Sequence, residues 1–181
     1  GTRWSYHNAP YTLLENVVSN ATGQDYTAYF NSVLQDKIGM SGYWQWSGDL
    51  HLYLSNARSM ARFGLLMQNR GVWDDTRIIN ESFVDAAIRP SQNINKSYGY
   101  LWWLNGGEGF MIPQSQLKFP GTMLPNAPTD IYSGLGKNGQ YVCISPSDGL
   151  VIIRMGDSPD NSLVPVNYLN DIWRMMNNVR D

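Results

Sequence analysis

Two short apolar runs near the C-terminal end, Gln140 to Ser145 and Leu150 to Met155, are joined by Pro146-Ser147-Asp148-Gly149. An Asp-Gly pair between runs rich in Val and Ile tolerates the positive φ angles of a tight turn, so this stretch is constrained to an antiparallel hairpin. A last helix from about Val164 to Val179 places Tyr168, Leu169, Ile172 and Met176 on one face, suited to covering that sheet. Upstream the spacing is different. From Pro10 to about Arg89 apolar residues recur mostly at helical intervals, and strand-like alternation begins near Ser133.

Punctuation divides the helical part. Pro10 with Leu13, Leu14, Val17 and Val18 predicts an amphipathic helix closed by Gly23, the proline standing where a first turn accepts it. Tyr26, Tyr29, Phe30, Val33 and Leu34 predict a second helix, ended by Gly39. Ser55 is placed to cap a third helix running through Asn69, with Met60, Phe63 and Met67 on its buried face and Gly71 as its stop. Asn80 caps a short helix that ends before Pro90. A loop-rich middle follows, carrying Tyr98-Gly99-Tyr100-Leu101-Trp102-Trp103. Helices first and antiparallel strands later predict an α+β fold.

Composition removes several functions. The chain has 181 residues, 43% hydrophobic and 15% charged, enough for one compact domain or a large part of one. A net charge of -2 without a basic stripe argues against nucleic acid as a partner. The longest apolar runs, such as Leu150 to Ile153, fall far short of the about 20 residues a membrane span requires. No metal or other cofactor is implied: His7 and His51 are the only histidines, and neither an HExxH nor a CxxC pattern occurs. Cys143 lies in an alternating apolar run and reads as a buried structural thiol. Three glycosylation-type triplets, at Asn20, Asn80 and Asn95, are of a frequency expected by chance.

Two triplets carry chemistry. In Tyr6-His7-Asn8 an extended backbone would project Tyr6 and Asn8 into one cleft, because residues i and i+2 then share a face. A phenol with an ordinary pKa of about 10 is a poor base at neutral pH, and a nearby cation is needed to stabilise its anion. Lys137 is the candidate cation. It opens Lys137-Asn138-Gly139, between Gly136 and a strand, where the glycines permit close backbone approach to a ligand. The amide N–H of Gln140 could then donate to an oxyanion. Taken singly, Tyr-x-Asn is a common coincidence and Gly-Lys-Asn-Gly reads equally well as a plain turn.

The stretches between them are more specific. Trp4-Ser5-Tyr6-His7-Asn8-Ala9-Pro10-Tyr11, the run from Tyr53 to Trp73, the aromatic Tyr98 to Trp103 segment, and Gly139-Gln140 before the hairpin together resemble the beta-lactamase-related serine hydrolases. These include class C beta-lactamases, esterase relatives, penicillin-binding peptidases and aminohexanoate-dimer hydrolases. The resemblance covers nearly the whole chain and implies a beta-lactamase/transpeptidase-like fold. In such proteins Ser-x-x-Lys supplies the nucleophile and a general base, Tyr-x-Asn the second motif, and a Lys-Thr-Gly-like triplet on a strand the third.

Carried over, the resemblance makes Tyr6 a catalytic proton carrier and Asn8 a substrate-orienting residue. Lys137-Asn138-Gly139 becomes the third triplet, with Asn138 replacing the usual Thr, and Gln140 N–H becomes half of the oxyanion hole. Trp102 is a candidate for lining the substrate pocket, although paired aromatics are core material more often than not. The first motif is absent before Tyr6. Ser115-Gln116-Leu117-Lys118 matches Ser-x-x-Lys, but it follows Tyr6 and is hemmed in by Pro113 and Pro120, which leave no room for a stable helix.

The reading is therefore the C-terminal portion of a serine hydrolase acting on a small-molecule ester or amide through an acyl-enzyme. Residues 1–132 would form part of the helical region and 133–181 the strands and last helix. The serine and its strands would lie on an N-terminal fragment of the same protein, and the isolated chain would be inactive. A periplasmic or secreted setting is what the resemblance favours. The competing reading is an inactive relative that binds a ligand or a carbohydrate, in keeping with the many Trp and Tyr.

Overall fold

A computed structural model describes residues 1–157 and 159–179, so Ser158, Arg180 and Asp181 of the expected 133–181 segment lie outside the described residues. Helix α1 (Ala9–Thr22) carries Pro10 in its first turn and is closed by Gly23, whose φ of 68° lets its N–H reach Ser19 O at 2.8 Å. Asp25 caps α2 (Tyr26–Phe30) by accepting from Ala28 N. The helix runs on through a π-helical segment, Asn31–Gln35, into α3 (Asp36–Ile38), which Gly39 closes. Next comes a hairpin in a region whose spacing had read as helical: β1 (Gly42–Ser47) and β2 (Leu50–Ser55), joined by Gly48-Asp49.

Helix α4 (Ala57–Gln68) is capped by Asn56, not by Ser55 as the sequence suggested. The reason is the hairpin. Ser55 ends β2 and its hydroxyl donates to Ser41 O at 2.6 Å, which leaves Asn56 Oδ1 to accept from Ser59 N at 2.9 Å. A small ribbon, β3 (Val72–Trp73) with β4 (Thr76–Arg77), leads into α5 (Glu81–Ala87). Asn80 occupies the N-cap position of α5, but its side chain makes no capping bond there.

The principal sheet has the order β10–β9–β8–β5, all antiparallel. Its strands are β5 (Trp103–Leu104), β8 (Tyr132–Gly136), β9 (Gln140–Ser145) and β10 (Leu150–Arg154); the ribbon β6 (Gly109–Phe110) and β7 (Phe119–Pro120) stands apart. Alternation divides the sheet's side chains between two cores. Trp103, Leu135, Tyr141 and Cys143 face α6 (Val166–Asn177), which buries Leu169 and Trp173 completely. Leu104, Tyr132 and Ile144 face α4 and α5, meeting Met67, Val84 and Ala87. The result is helix on sheet on helix, and the expected α+β architecture with a terminal helix covering the sheet is observed.

Candidate active site

Trp4 seats the first triplet. Its ring is buried against Trp103 at 6.0 Å and Tyr98 at 5.7 Å, while its carbonyl accepts from Gln116 Nε2 at 2.9 Å. Tyr6, two residues on, packs half-buried on the same two rings, at 5.8 and 6.2 Å. The seat is aromatic and apolar, and this decides the phenol's acidity. Burial first, and the neighbouring Tyr11 second, push the Tyr6 pKa above its ordinary 10.0. Tyr98 is pushed up for the same reasons, burial and then Tyr6. No cation among the described residues offsets the Tyr6 shift.

Asn8 goes elsewhere. With φ -81° and ψ -30° it is already helical, so the alternation that would have sent Tyr6 and Asn8 into one cleft is broken. Its carbonyl accepts from Thr12 N at 3.3 Å, and the residue lines a cavity of about 510 Å³ with Ala9, Thr12, Leu13, Asp49 and Leu50. Tyr6 is not part of that lining. A second cavity of about 430 Å³, between Phe110, Phe119, Met123 and Val166, includes neither triplet.

Lys137, Asn138 and Gly139 form the tight turn between β8 and β9 and do not lie on a strand. Asn138 and Gly139 have φ of 62° and 72°, the left-handed region that Asn tolerates and Gly favours. Arg154, at the end of β10, rivets this turn. Its Nη1 donates to the carbonyls of Asn138, Gly139 and Gly156 at 2.9, 3.0 and 3.0 Å, and its Nη2 to that of Asp157. The Gln140 side chain adds a second tie: Nε2 donates to Gly156 O at 2.5 Å and Oε1 accepts from Gly156 N at 3.1 Å. The Gln140 backbone stands opposite Gly136 in the β8–β9 ladder. Lys137 is exposed, and among the described residues no hydrogen bond or ion pair joins Tyr6 or Asn8 to Lys137 or Gln140. The expected neighbourhood of Tyr6 and Lys137 thus has no hydrogen bond or ion pair behind it among the described residues.

Trp102 needs a similar correction. It packs on Tyr132 at 5.2 Å and Phe63 at 6.1 Å in the core beneath α4, across the sheet from Tyr6. Adjacent residues entering a strand point to opposite sides, so Trp103, and not Trp102, meets the tyrosine. That rule was available from the sequence once a strand was placed at this pair. Arg154 offered a fainter sign, a lone cation closing the apolar run Leu150-Val151-Ile152-Ile153. Ser115 to Lys118 forms no helix, and Ser115 Oγ merely accepts from Leu117 N at 3.1 Å. Burial pushes the Cys143 thiol up to about 12, which suits packing and not nucleophilic attack. Among the described residues no group of three or more His, Cys, Asp or Glu is placed to hold a metal ion, and no helix is long and apolar enough to cross a membrane.

An antiparallel sheet between a terminal helix and a helical layer, with Tyr-x-Asn leading into the first helix and a Gly-bounded turn beside the sheet, defines the beta-lactamase/transpeptidase-like class of fold. The chain belongs to the Beta-lactamase family, whose sequence profile matches residues 1–168. Among solved structures it is similar to a Bacillus anthracis protein named as a putative 6-aminohexanoate-dimer hydrolase, with TM-score 0.70 and 19% identity, covering 100% of this chain and 46% of that one. A Bacteroides dorei protein named as a putative beta-lactamase matches with TM-score 0.66 and 13% identity over 97% of this chain and 58% of its own. A penicillin-binding-protein homologue from Caulobacter crescentus matches with TM-score 0.62 and 11% identity over 94% and 59%. The chain therefore spans about half the length of the solved proteins it resembles. No curated protein sequence matches it.

Proposed function

We propose that residues 1–181 supply the second and third motifs of a serine hydrolase that cleaves a small ester or amide through an acyl-enzyme, its nucleophile residing on a segment outside these residues. The observation that carries this is the state of Tyr6. In this reading its phenol is the tyrosine of the Tyr-x-Asn motif, yet burial favours its neutral form and no cation here opposes that. A Ser-x-x-Lys segment brought against Tyr6 would supply both missing groups, the hydroxyl to be deprotonated and the ammonium that makes phenolate accessible. In that arrangement Tyr6 moves the serine proton, Asn8 orients substrate, and an amide at the β8–β9 turn, Gln140 N–H in this reading, holds the oxyanion. The reaction forms a serine ester with release of the alcohol or amine, and water then releases the acid.

Exposure of the first helix supports a missing neighbour. Leu13, Leu14 and Val17 of α1 are 58, 48 and 59% exposed, and no α1 residue is buried. The test is reconstitution. Combined with an upstream Ser-x-x-Lys segment of the same protein, the chain should hydrolyse p-nitrophenyl esters, and Tyr6→Phe should lower kcat about 100-fold or more, the usual scale for a proton-transfer group. An unchanged rate in Tyr6→Phe, or equal turnover by residues 1–181 alone, would overturn the assignment. Ligand binding without turnover in the reconstituted pair would favour the inactive, binding relative.

A further inference from the structure

Helix α1 buries none of its residues, so very little fixes its position. Glu15 is where it is tied down. Its Oε2 accepts from His51 Nδ1 at 2.5 Å, with the two side chains only 25 and 9% exposed. His51 is itself immobilised on β2. It stacks on Trp46 with centroids 4.5 Å apart and planes 3° from parallel, and meets Trp44 at 5.1 Å and Tyr26 at 6.3 Å. The Glu15 carboxylate reaches this aromatic socket closely enough to add to burial in pushing the Tyr26 phenol up. A charge-assisted bond to an imidazole held by three rings is a strong, directional tie.

Its placement relates it to the site. Glu15 stands seven residues after Asn8, two helical turns along the same face, and Thr12 lies between them on that face. On the other side, His51 directly follows Asp49 and Leu50. Asn8, Thr12 and Leu13 form one wall of the 510 Å³ cavity, and Asp49 and Leu50 form the other. The hydrogen bond therefore joins the two walls at one end of that cavity. We propose that Glu15 and His51 are positioning residues, a clasp that sets the width of the cleft between α1 and the β1–β2 turn and so the place of Asn8. The cleft's role as a substrate subsite rests on the hydrolase reading; the clasp does not.

Two measurements separate these. Hydrogen exchange of α1 amides in the full chain would be compared for Glu15→Leu, His51→Phe, the double variant and Glu15→Gln, which keeps an acceptor. His51→Phe retains a ring for Trp46, so the hairpin stays formed. Each single loss should speed α1 exchange about 10-fold, the low end for a hydrogen bond to a charged group because Glu15 is a quarter exposed. The double variant should be no faster than either single, Glu15→Gln should stay near the parent, and β1–β2 amides should not change. Unchanged α1 exchange, or additive effects spread equally over the hairpin, would overturn the clasp. In the reconstituted hydrolase His51→Phe should raise KM for a bulky ester about 10-fold with kcat within about twofold, a split that general destabilisation does not give. A parallel fall in kcat, or an unmoved KM, would overturn the subsite. No turnover by the parent pair would count against the hydrolase reading while exchange still decides the clasp.

Discussion

Gly64 lies on the face of α4 that crosses β10, and a methyl group there would stand 2.4 Å from Val151 Cγ1. Ordinary contact lies between 3.4 and 4 Å, so the methyl would stand at least 1 Å too close to a side chain anchored in a strand. Two effects of Gly64→Ala oppose each other. Helix propensity gains about 1 kcal/mol on replacing glycine by alanine. Overpacking at a helix–sheet contact costs about 1 to 3 kcal/mol. The expected net effect is a loss of about 0 to 2 kcal/mol, the opposite sign from an exposed helix position. Trimming the neighbour should reverse it. In Gly64→Ala/Val151→Ala the new methyl enters the space left by the old ones, and the coupling should be at least about 1 kcal/mol in the favourable direction. Urea unfolding of the four proteins, followed by far-ultraviolet circular dichroism, gives the cycle directly. A Gly64→Ala chain stabilised by the full propensity gain, with additive effects in the double variant, would show that α4 does not lie directly on β10.

Alkaline pH should weaken the fold. The Cys143 thiol is raised from 9.0 to about 12 and the Tyr141 phenol from 10.0 to about 12, both chiefly by burial, so the native state holds protons that the unfolded chain releases. Their stabilisation is complete below about pH 9 and is lost as pH climbs from 9 towards 12, at about 1.4 kcal/mol per pH unit for each group in its window; Cys143→Ala should flatten the first part of the slope in denaturant titrations. Arg154→Leu removes the donor for two carbonyls of the β8–β9 turn and for that of Gly156, and because that turn is open to water the cost should be about 1 to 2 kcal/mol by thermal melting, with Arg154→Lys recovering under half. Trp4→Ala should release residues 1–8, exposing Trp103 to acrylamide quenching and costing at most about 3 to 5 kcal/mol, the range for a buried tryptophan.

Regular periodicity was readable where one core dominates. Leu169 and Trp173 lie on a helical stripe, and Val142 to Ile144 alternate against Ile153 to Val151 across an Asp-Gly turn, so the last helix and the final hairpin follow from spacing. The β1–β2 hairpin did not, because Trp44, Trp46, His51 and Tyr53 gather into an aromatic cluster with Tyr26 and Phe30 of α2, and aromatics suit either period. Gly48-Asp49 flanked by Ser47 and Leu50 was its one local sign. At the site, Tyr6, Asn8 and the Lys137 turn were visible as residues, but the different surroundings of Tyr6 and Asn8 were not. Asn8 takes the helical N-cap position of α1, two residues before Pro10, which is a local effect, while Trp4 and Tyr6 pack on Trp103, about a hundred residues on, which is a tertiary one. Glu15 and His51 meet across 36 residues, a distance no local pattern spans.

In the proposed reaction the nucleophile served by Tyr6 is a serine outside residues 1–181. A fluorophosphonate probe, followed by intact mass and peptide mapping of the reconstituted protein, locates that nucleophile. The expected result is one adduct on the serine of an upstream Ser-x-x-Lys segment, none on residues 1–181, and a much slower adduct in Tyr6→Phe. An adduct on Ser115 or any other residue of this chain would contradict it.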